Sequence, residues 1–167
     1  MKVTLRYSGT LSDPDSLPRL REDFQDIAAT QRWPVERMDG REAPAPRGGG
    51  RLLAPALTLG GLKVVVHPQT DPLWLTFNEA GVLTRLAPLP RTPGPIEGAL
   101  ALPVGVALHQ AQASIQTSIG GSRLHLTVVG LLDYLKSAYV HDLRVSDEAG
   151  YWDDRDAESL RRLMDER

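Results

Sequence analysis

The fold is decided by residues 113–145, which read ASIQTSIGGSRLHLTVVGLLDYLKSAYVHDLRV. Apolar and polar side chains alternate from Ala113 to Ile119, a pattern typical of a half-buried strand. Gly120 and Gly121 interrupt the alternation, and apolar residues then recur at helical spacing from Leu124 to Ala138. Leu143 and Val145 flank Arg144 in a further short strand. The stretch therefore predicts a β-α-β unit.

The N-terminal region repeats this order of elements with a different sequence. Alternation from Val3 to Tyr7 predicts a strand, and apolar side chains at helical spacing from Leu17 to Ala28 predict a helix. Pro34 must end that helix, because the residue before a proline is pushed out of the α region. Val35 to Met38 then predicts a second strand and a second β-α-β unit.

The middle of the chain predicts short strands and loops. Ten of the 13 prolines lie between Pro44 and Pro103, and proline interrupts helices and cannot donate to a strand ladder. A hairpin is expected from Leu73 to Leu83. Residues 42–50 and 88–95 are expected to be mobile Pro/Gly-rich loops.

These elements predict a single α+β domain over residues 1–167. We expect a mixed, mostly antiparallel sheet with the two main helices on one face, a ferredoxin-like variant with extra middle strands. A short C-terminal helix, capped by Asp156 and carrying Leu160 and Leu163, completes the prediction.

Composition excludes several classes of protein. The chain has no cysteine, which excludes disulfide scaffolds, thiol catalysis and thiolate metal sites. The formal net charge of −2 and the scattered basic residues argue against nucleic-acid binding through phosphate contacts. No apolar run approaches the roughly 18 residues of a membrane-spanning helix. We therefore expect a cytoplasmic protein without a membrane segment, and no motif predicts a cofactor.

The connection between the strand that starts at Ala113 and the helix that follows it is a candidate anion site. Gly120, Gly121 and Ser122, with Ser122 as N-cap, precede the helix, and free N–H groups at such an end bind anions. Arg123 would add a positive charge. His125 lies in the first turn, where the positive end of the helix dipole disfavours a protonated imidazole. A neutral imidazole can act as a general base. The alternative is a packed, hydrogen-bonded histidine.

The acidic stretch from Asp147 to Asp156 has three possible explanations. Asp147, Glu148 and Asp153 are weak candidates for a divalent-metal site, although the EF-hand order of ligands is absent. The acidic side chains also suit the start of the last helix. Tyr151 and Trp152 predict either a cover over the core or a protein-contact surface.

Two parts of the chain resemble a group of small bacterial proteins without an established activity. The first comprises Gln116–Ser118, His125–Leu126, Leu131–Leu132 and the DEAGYW run at 147–152. The second is the LWLTF hairpin strand at 73–77 followed by Gly81. The resemblance implies a free-standing bacterial domain and carries no catalytic role; Gly120-Gly121 departs from the bulkier residues of that group.

Two functions follow from these residues. The main prediction is a non-catalytic module that binds another protein or a second copy of itself, because no catalytic motif is present and Tyr151 and Trp152 lie in an acidic end. The alternative is a small hydrolase or transferase that holds an anionic substrate at residues 120–122, with His125 as base.

Overall fold

The computed structural model describes residues 2–39, 59–87 and 108–166. The strands are β1 (Thr4–Ser8), β2 (Val35–Asp39), β3 (Gly60–Val64), β4 (Leu73–Phe77), β5 (Arg85–Ala87), β6 (Leu108–Gln110), β7 (Ala113–Gln116) and β8 (Arg144–Asp147). The α-helices are α1 (Leu17–Gln31), α2 (Gly121–Ala138), α3 (Tyr151–Asp154) and α4 (Ala157–Asp165). The loops predicted near 42–50 and 88–95 lie outside the described residues.

The predicted α+β class, with two main helices and a short C-terminal helix, is confirmed. One sheet has the order β7-β1-β8, in which β1 is antiparallel to both neighbours. β7 and β8 are therefore parallel to each other, and α2 connects them. The predicted C-terminal β-α-β unit is present with β1 inserted between its two strands.

The predicted N-terminal β-α-β unit differs from the structure. β2 pairs with β3, and β3 pairs with β4, in a separate antiparallel sheet. Both edges of β1 are already occupied by β7 and β8, so β2 has no free edge of β1 with which to pair. The described strands therefore form three antiparallel sheets, the third being the β5-β6 pair, and not one mixed sheet.

Tyr7 links the two three-stranded sheets. Its side chain, pointing inward from β1, is fully buried. The hydroxyl donates to the carbonyl oxygen of Trp74 at 2.8 Å and accepts from the Trp74 N–H at 2.9 Å. Burial raises the pKa of this phenol well above its usual range. One phenol thus satisfies both backbone groups of a β4 residue and fixes the distance between the sheets.

The two main helices contact each other over the core. Helix α1 buries Leu20, Phe24 and Ala28, as its spacing predicted. The ring of Phe24 packs against that of Tyr134 of α2, with centroids 5.6 Å apart. Helix α1 ends at Gln31, before Pro34, and Arg32 follows in the left-handed region at φ 58°.

The start of α2 corrects one prediction. Residues 118–120 form a 3-10 turn, so β7 is shorter than the alternation suggested and Gly120 is the N-cap. Ser122 consequently lies inside the first helical turn and is not the cap. Its hydroxyl is directed to Asp165 of α4, a partner that only the tertiary structure supplies.

Candidate functional site

His125 occupies the centre of a buried polar chain. The first turn of α2 directs its ring between Thr117, just after β7, and Asp147, the last residue of β8. The Thr117 Oγ1 atom lies 2.8 Å from Nδ1, and Asp147 Oδ2 lies 3.0 Å from Nε2. An ionised carboxylate only accepts hydrogen bonds, so Nε2 carries the proton and donates it to Asp147. In the neutral ring, the Thr117 hydroxyl donates to Nδ1.

The Asp147 carboxylate holds the turn that follows β8. Besides the His125 ring, it accepts the Trp152 N–H at 2.9 Å and the Ala149 N–H at 2.8 Å. Its side chain is inaccessible to solvent. Burial raises the pKa of the Asp147 carboxyl, but the hydrogen bonds from His125, Trp152 and Ala149 outweigh it and lower this pKa below its usual range. The fold therefore stabilises the ionised form of the Asp147 carboxylate.

The order Thr117–His125–Asp147 matches the hydroxyl, imidazole and carboxylate of a nucleophilic relay, but its position is unsuited to catalysis. Thr117 and His125 each have 0% of their surface exposed. The Tyr151 ring packs edge-on against the imidazole, with centroids 6.2 Å apart. A base must reach the proton that it removes from the substrate, and this ring is enclosed. His125 thus has the features of the packed, hydrogen-bonded alternative.

The N-terminus of α2 does hold an anionic group, and it belongs to the same chain. Asp165 Oδ1 accepts the Ser122 N–H at 2.8 Å, and Oδ2 accepts the Ser122 hydroxyl. These two hydrogen bonds lower the pKa of Asp165. A Cβ atom at Gly121, whose φ is 68°, would lie 2.8 Å from the carboxylate, so glycine is needed there. Arg123 is exposed and makes no described contact with Asp165.

The three acidic candidates for a metal site are not brought together. Asp147 faces His125, whereas Glu148 pairs with Arg6 at 2.9 Å and accepts the Thr4 N–H at 2.9 Å. Asp153 is exposed to solvent. Over the described ranges, no three His, Asp or Glu side chains converge in a way that could hold a metal ion.

Tyr151, Trp152 and Arg155 form a cluster beside this network, which we call the aromatic–arginine cluster. The guanidinium carbon of Arg155 lies 4.7 Å from the Trp152 ring centroid and 5.8 Å from that of Tyr151. The same guanidinium donates to both carboxylate oxygens of Asp133, at 2.7 and 2.9 Å. The carboxylate raises the pKa of Arg155. The two aromatic residues are half-buried and pack against the core. Each ring therefore covers part of the core and leaves part of its own surface open to solvent.

A second polar cluster was not anticipated from the sequence. The hydroxyls of Tyr134 and Tyr139, near the end of α2, both donate to Asp23 Oδ2 of α1. They line a cleft of about 590 Å³ together with His141. No local motif connects residues more than a hundred positions apart, so only the contact between the helices could reveal this cluster.

No family model, curated protein or solved structure matches this chain. The resemblance to small bacterial proteins therefore stays a prediction. Among the described helices, none combines the length and the apolar character that a membrane crossing requires.

Proposed function

We propose that this protein is a non-catalytic protein-binding module, and that the aromatic–arginine cluster is its contact surface. The observation that carries the proposal is the position of Arg155. Its guanidinium lies over two partly buried rings and donates to both carboxylate oxygens of Asp133. Tyrosine, tryptophan and arginine are the residues most enriched among those that dominate binding energy at protein interfaces. A surface made of all three supports recognition of a protein.

Rigidity of the cluster supports this proposal. The Trp152 N–H is bound by the buried Asp147 carboxylate, which His125 also holds. A contact surface that is ordered before binding loses less side-chain entropy when the partner arrives. The hydrogen-bonded side chains of Thr117, His125 and Asp147 therefore support the aromatic–arginine cluster.

The charge around the cluster favours a basic partner. Residues 141–167 carry nine acidic and five basic side chains, and Asp153 and Asp154 are exposed next to Trp152. A two-fold symmetric contact would place this acidic segment against its own copy. We therefore propose a different protein, with a lysine- or arginine-rich segment and an apolar side chain that reaches the rings. A bacterial origin, which the resemblance above supports, is part of the proposal, and so is a cytoplasmic location.

The alternative activity, a hydrolase or transferase, has less support. It needs a reachable base and a free helix N-terminus, whereas the His125 ring is enclosed and Asp165 already binds the Ser122 N–H.

Selection of peptides from a displayed random library on the immobilised full chain tests the proposal. We expect the selected peptides to be rich in lysine or arginine and to lose binding to the Trp152→Ala variant. Trp74→Ala is the matched control, because Trp74 also stacks with a cation, Lys63, at 4.8 Å, away from the cluster. Peptides that bind wild type and Trp152→Ala equally, or an absence of selected peptides, would contradict the proposal.

A further inference from the structure

The cleft between α1 and the end of α2 is a separate cavity with its own chemistry. Its volume is about 590 Å³, within the range of small-molecule sites. Its lining includes the side chains of Asp13, Arg19, Asp23, Tyr134, Tyr139 and His141. None of them belongs to the aromatic–arginine cluster.

The fixed groups on one wall of this cleft are hydrogen-bond acceptors. The single hydroxyl proton of Tyr134 and that of Tyr139 are both donated to Asp23 Oδ2. Each phenol oxygen therefore has only lone pairs left to offer a ligand. The hydrogen bonds from Tyr139 and Tyr134 lower the pKa of Asp23, so the carboxylate is charged, and its Oδ1 atom has no described hydrogen-bond donor.

The two phenol rings also provide aromatic faces and edges. Tyr134 and Tyr139 meet at an interplanar angle of 85°, with centroids 6.2 Å apart. Tyr134 is 38% exposed, and its ring is braced from behind by Phe24. A cation close to a tyrosine face is attracted by the ring quadrupole. The corner between these rings thus suits a positively charged group.

The carboxylates around the cleft outnumber its guanidinium groups. Asp13 and Asp23 contribute two carboxylates, against the single guanidinium of Arg19. Arg19 and His141 are exposed, and among the described residues neither side chain forms an ion pair. The Tyr134 and Tyr139 hydroxyls are fixed by their hydrogen bonds to Asp23. The charge of Arg19 adds to these hydrogen bonds in lowering the pKa of the Asp23 carboxyl.

We propose that this cleft binds a small organic cation that carries N–H donors, a primary ammonium or a guanidinium group. The group donates to the Asp23 carboxylate and the phenol oxygens, and its alkyl stem contacts the exposed ring of Tyr134. This site does not depend on the protein-binding function proposed above.

Titration of the isotopically labelled full chain with butylammonium, followed by ¹H–¹⁵N spectra, tests the proposal. Butyrate and 1-butanol serve as anionic and neutral probes of similar length. We expect butylammonium to shift the amide signals of Ser12, Tyr139 and His141, and the other two probes to leave them in place. Asp23→Asn should weaken binding roughly tenfold, as expected for loss of one charge-assisted hydrogen bond.

Asp26→Asn is the matched control, because this exposed carboxylate lies on α1 outside the cleft. Tyr134→Phe removes one acceptor from an exposed side chain, so it tests the site even if Asp23→Asn does not fold; it should also weaken binding severalfold. Preferential binding of butyrate would overturn the proposal in favour of an anion site at Arg19 and His141. Absence of binding by butylammonium, or unchanged affinity in Tyr134→Phe, would also overturn it.

Discussion

The Nε2 atom of His125 lies 3.0 Å from the Oδ2 atom of Asp147, and neither side chain is exposed to solvent. This contact ties the first turn of α2 to the end of β8. Because the same carboxylate binds the Trp152 N–H, it also fixes the start of α3 and, with it, the aromatic–arginine cluster. The stability of the C-terminal region should therefore depend on Asp147.

Asp147→Asn is expected to lower the free energy of unfolding by about 2–4 kcal/mol. The variant loses charge-assisted hydrogen bonds and leaves buried donors poorly matched to an amide. Urea denaturation followed by circular dichroism measures the change. Asp153→Asn, at an exposed position of the same segment, should stay within about 0.5 kcal/mol of wild type. Equal midpoints for the two variants would mean that the buried contact contributes nothing.

Acid should destabilise the protein in part through Asp147. Its pKa is lower in the folded chain than the ordinary value of 3.8, so its contribution to stability is present above that value and is lost as the pH falls below it. Unfolding free energies measured from neutral pH down to strong acid should decline less steeply in Asp147→Asn than in wild type. Asp23, Glu148, Asp156 and Asp165 also have lowered pKa values, so the difference between the two curves is the informative quantity. Parallel curves would contradict this assignment.

Local patterns in the sequence anticipated most individual elements but not their tertiary partners. The alternation at residues 3–7 and the helical spacing at 124–138 predicted β1 and α2, because each pattern reports burial of one face. The separation of β1 and β2 into different sheets was missed, since it depends on which strands occupy the edges of β1. The burial of His125 was weighed only as an alternative, because Thr117 and Asp147 approach it from two different strands.

The candidate anion site shows the same limit. The residues at the start of α2 predict a site for an anion, because the first N–H groups of a helix have no partner within the helix. They do not indicate that Asp165, more than forty positions away, supplies the anionic group. The Asp23–Tyr134–Tyr139 contact had no sequence signal at all, because it depends on how α1 packs against α2.

Ser122→Ala should destabilise the junction between α2 and α4. Loss of the hydroxyl removes a hydrogen bond to Asp165, which is expected to cost about 1 kcal/mol. Ser146→Ala, on the exposed side of β8, is a suitable control and should have little effect. Combined with Asp165→Ala, the Ser122 substitution should cost less than it does alone, because its partner is already gone. Full additivity in thermal or chemical denaturation would contradict a direct contact.

Trp152→Ala should lower the free energy of unfolding by about 2 kcal/mol, which is less than truncation of a fully buried tryptophan costs. The ring packs against the core but is only partly buried, so part of its apolar surface stays in water on folding. Truncation of a ring that covers the core completely would cost about 3–5 kcal/mol. Chemical denaturation distinguishes these values. A midpoint identical to wild type would indicate that the ring has no packing role and acts only as surface.

We propose that a protein partner contacts the aromatic–arginine cluster. Isothermal titration calorimetry with the strongest selected peptide measures this contact. The comparison is between wild type, Arg155→Ala and Arg144→Ala, a substitution of an exposed arginine on β8. We expect Arg155→Ala to bind the peptide at least tenfold more weakly than wild type, as is usual for a residue at the energetic centre of an interface. Arg144→Ala should bind like wild type. Equal affinity of the Arg155→Ala protein and wild type, with the variant shown to be folded, would contradict the proposal.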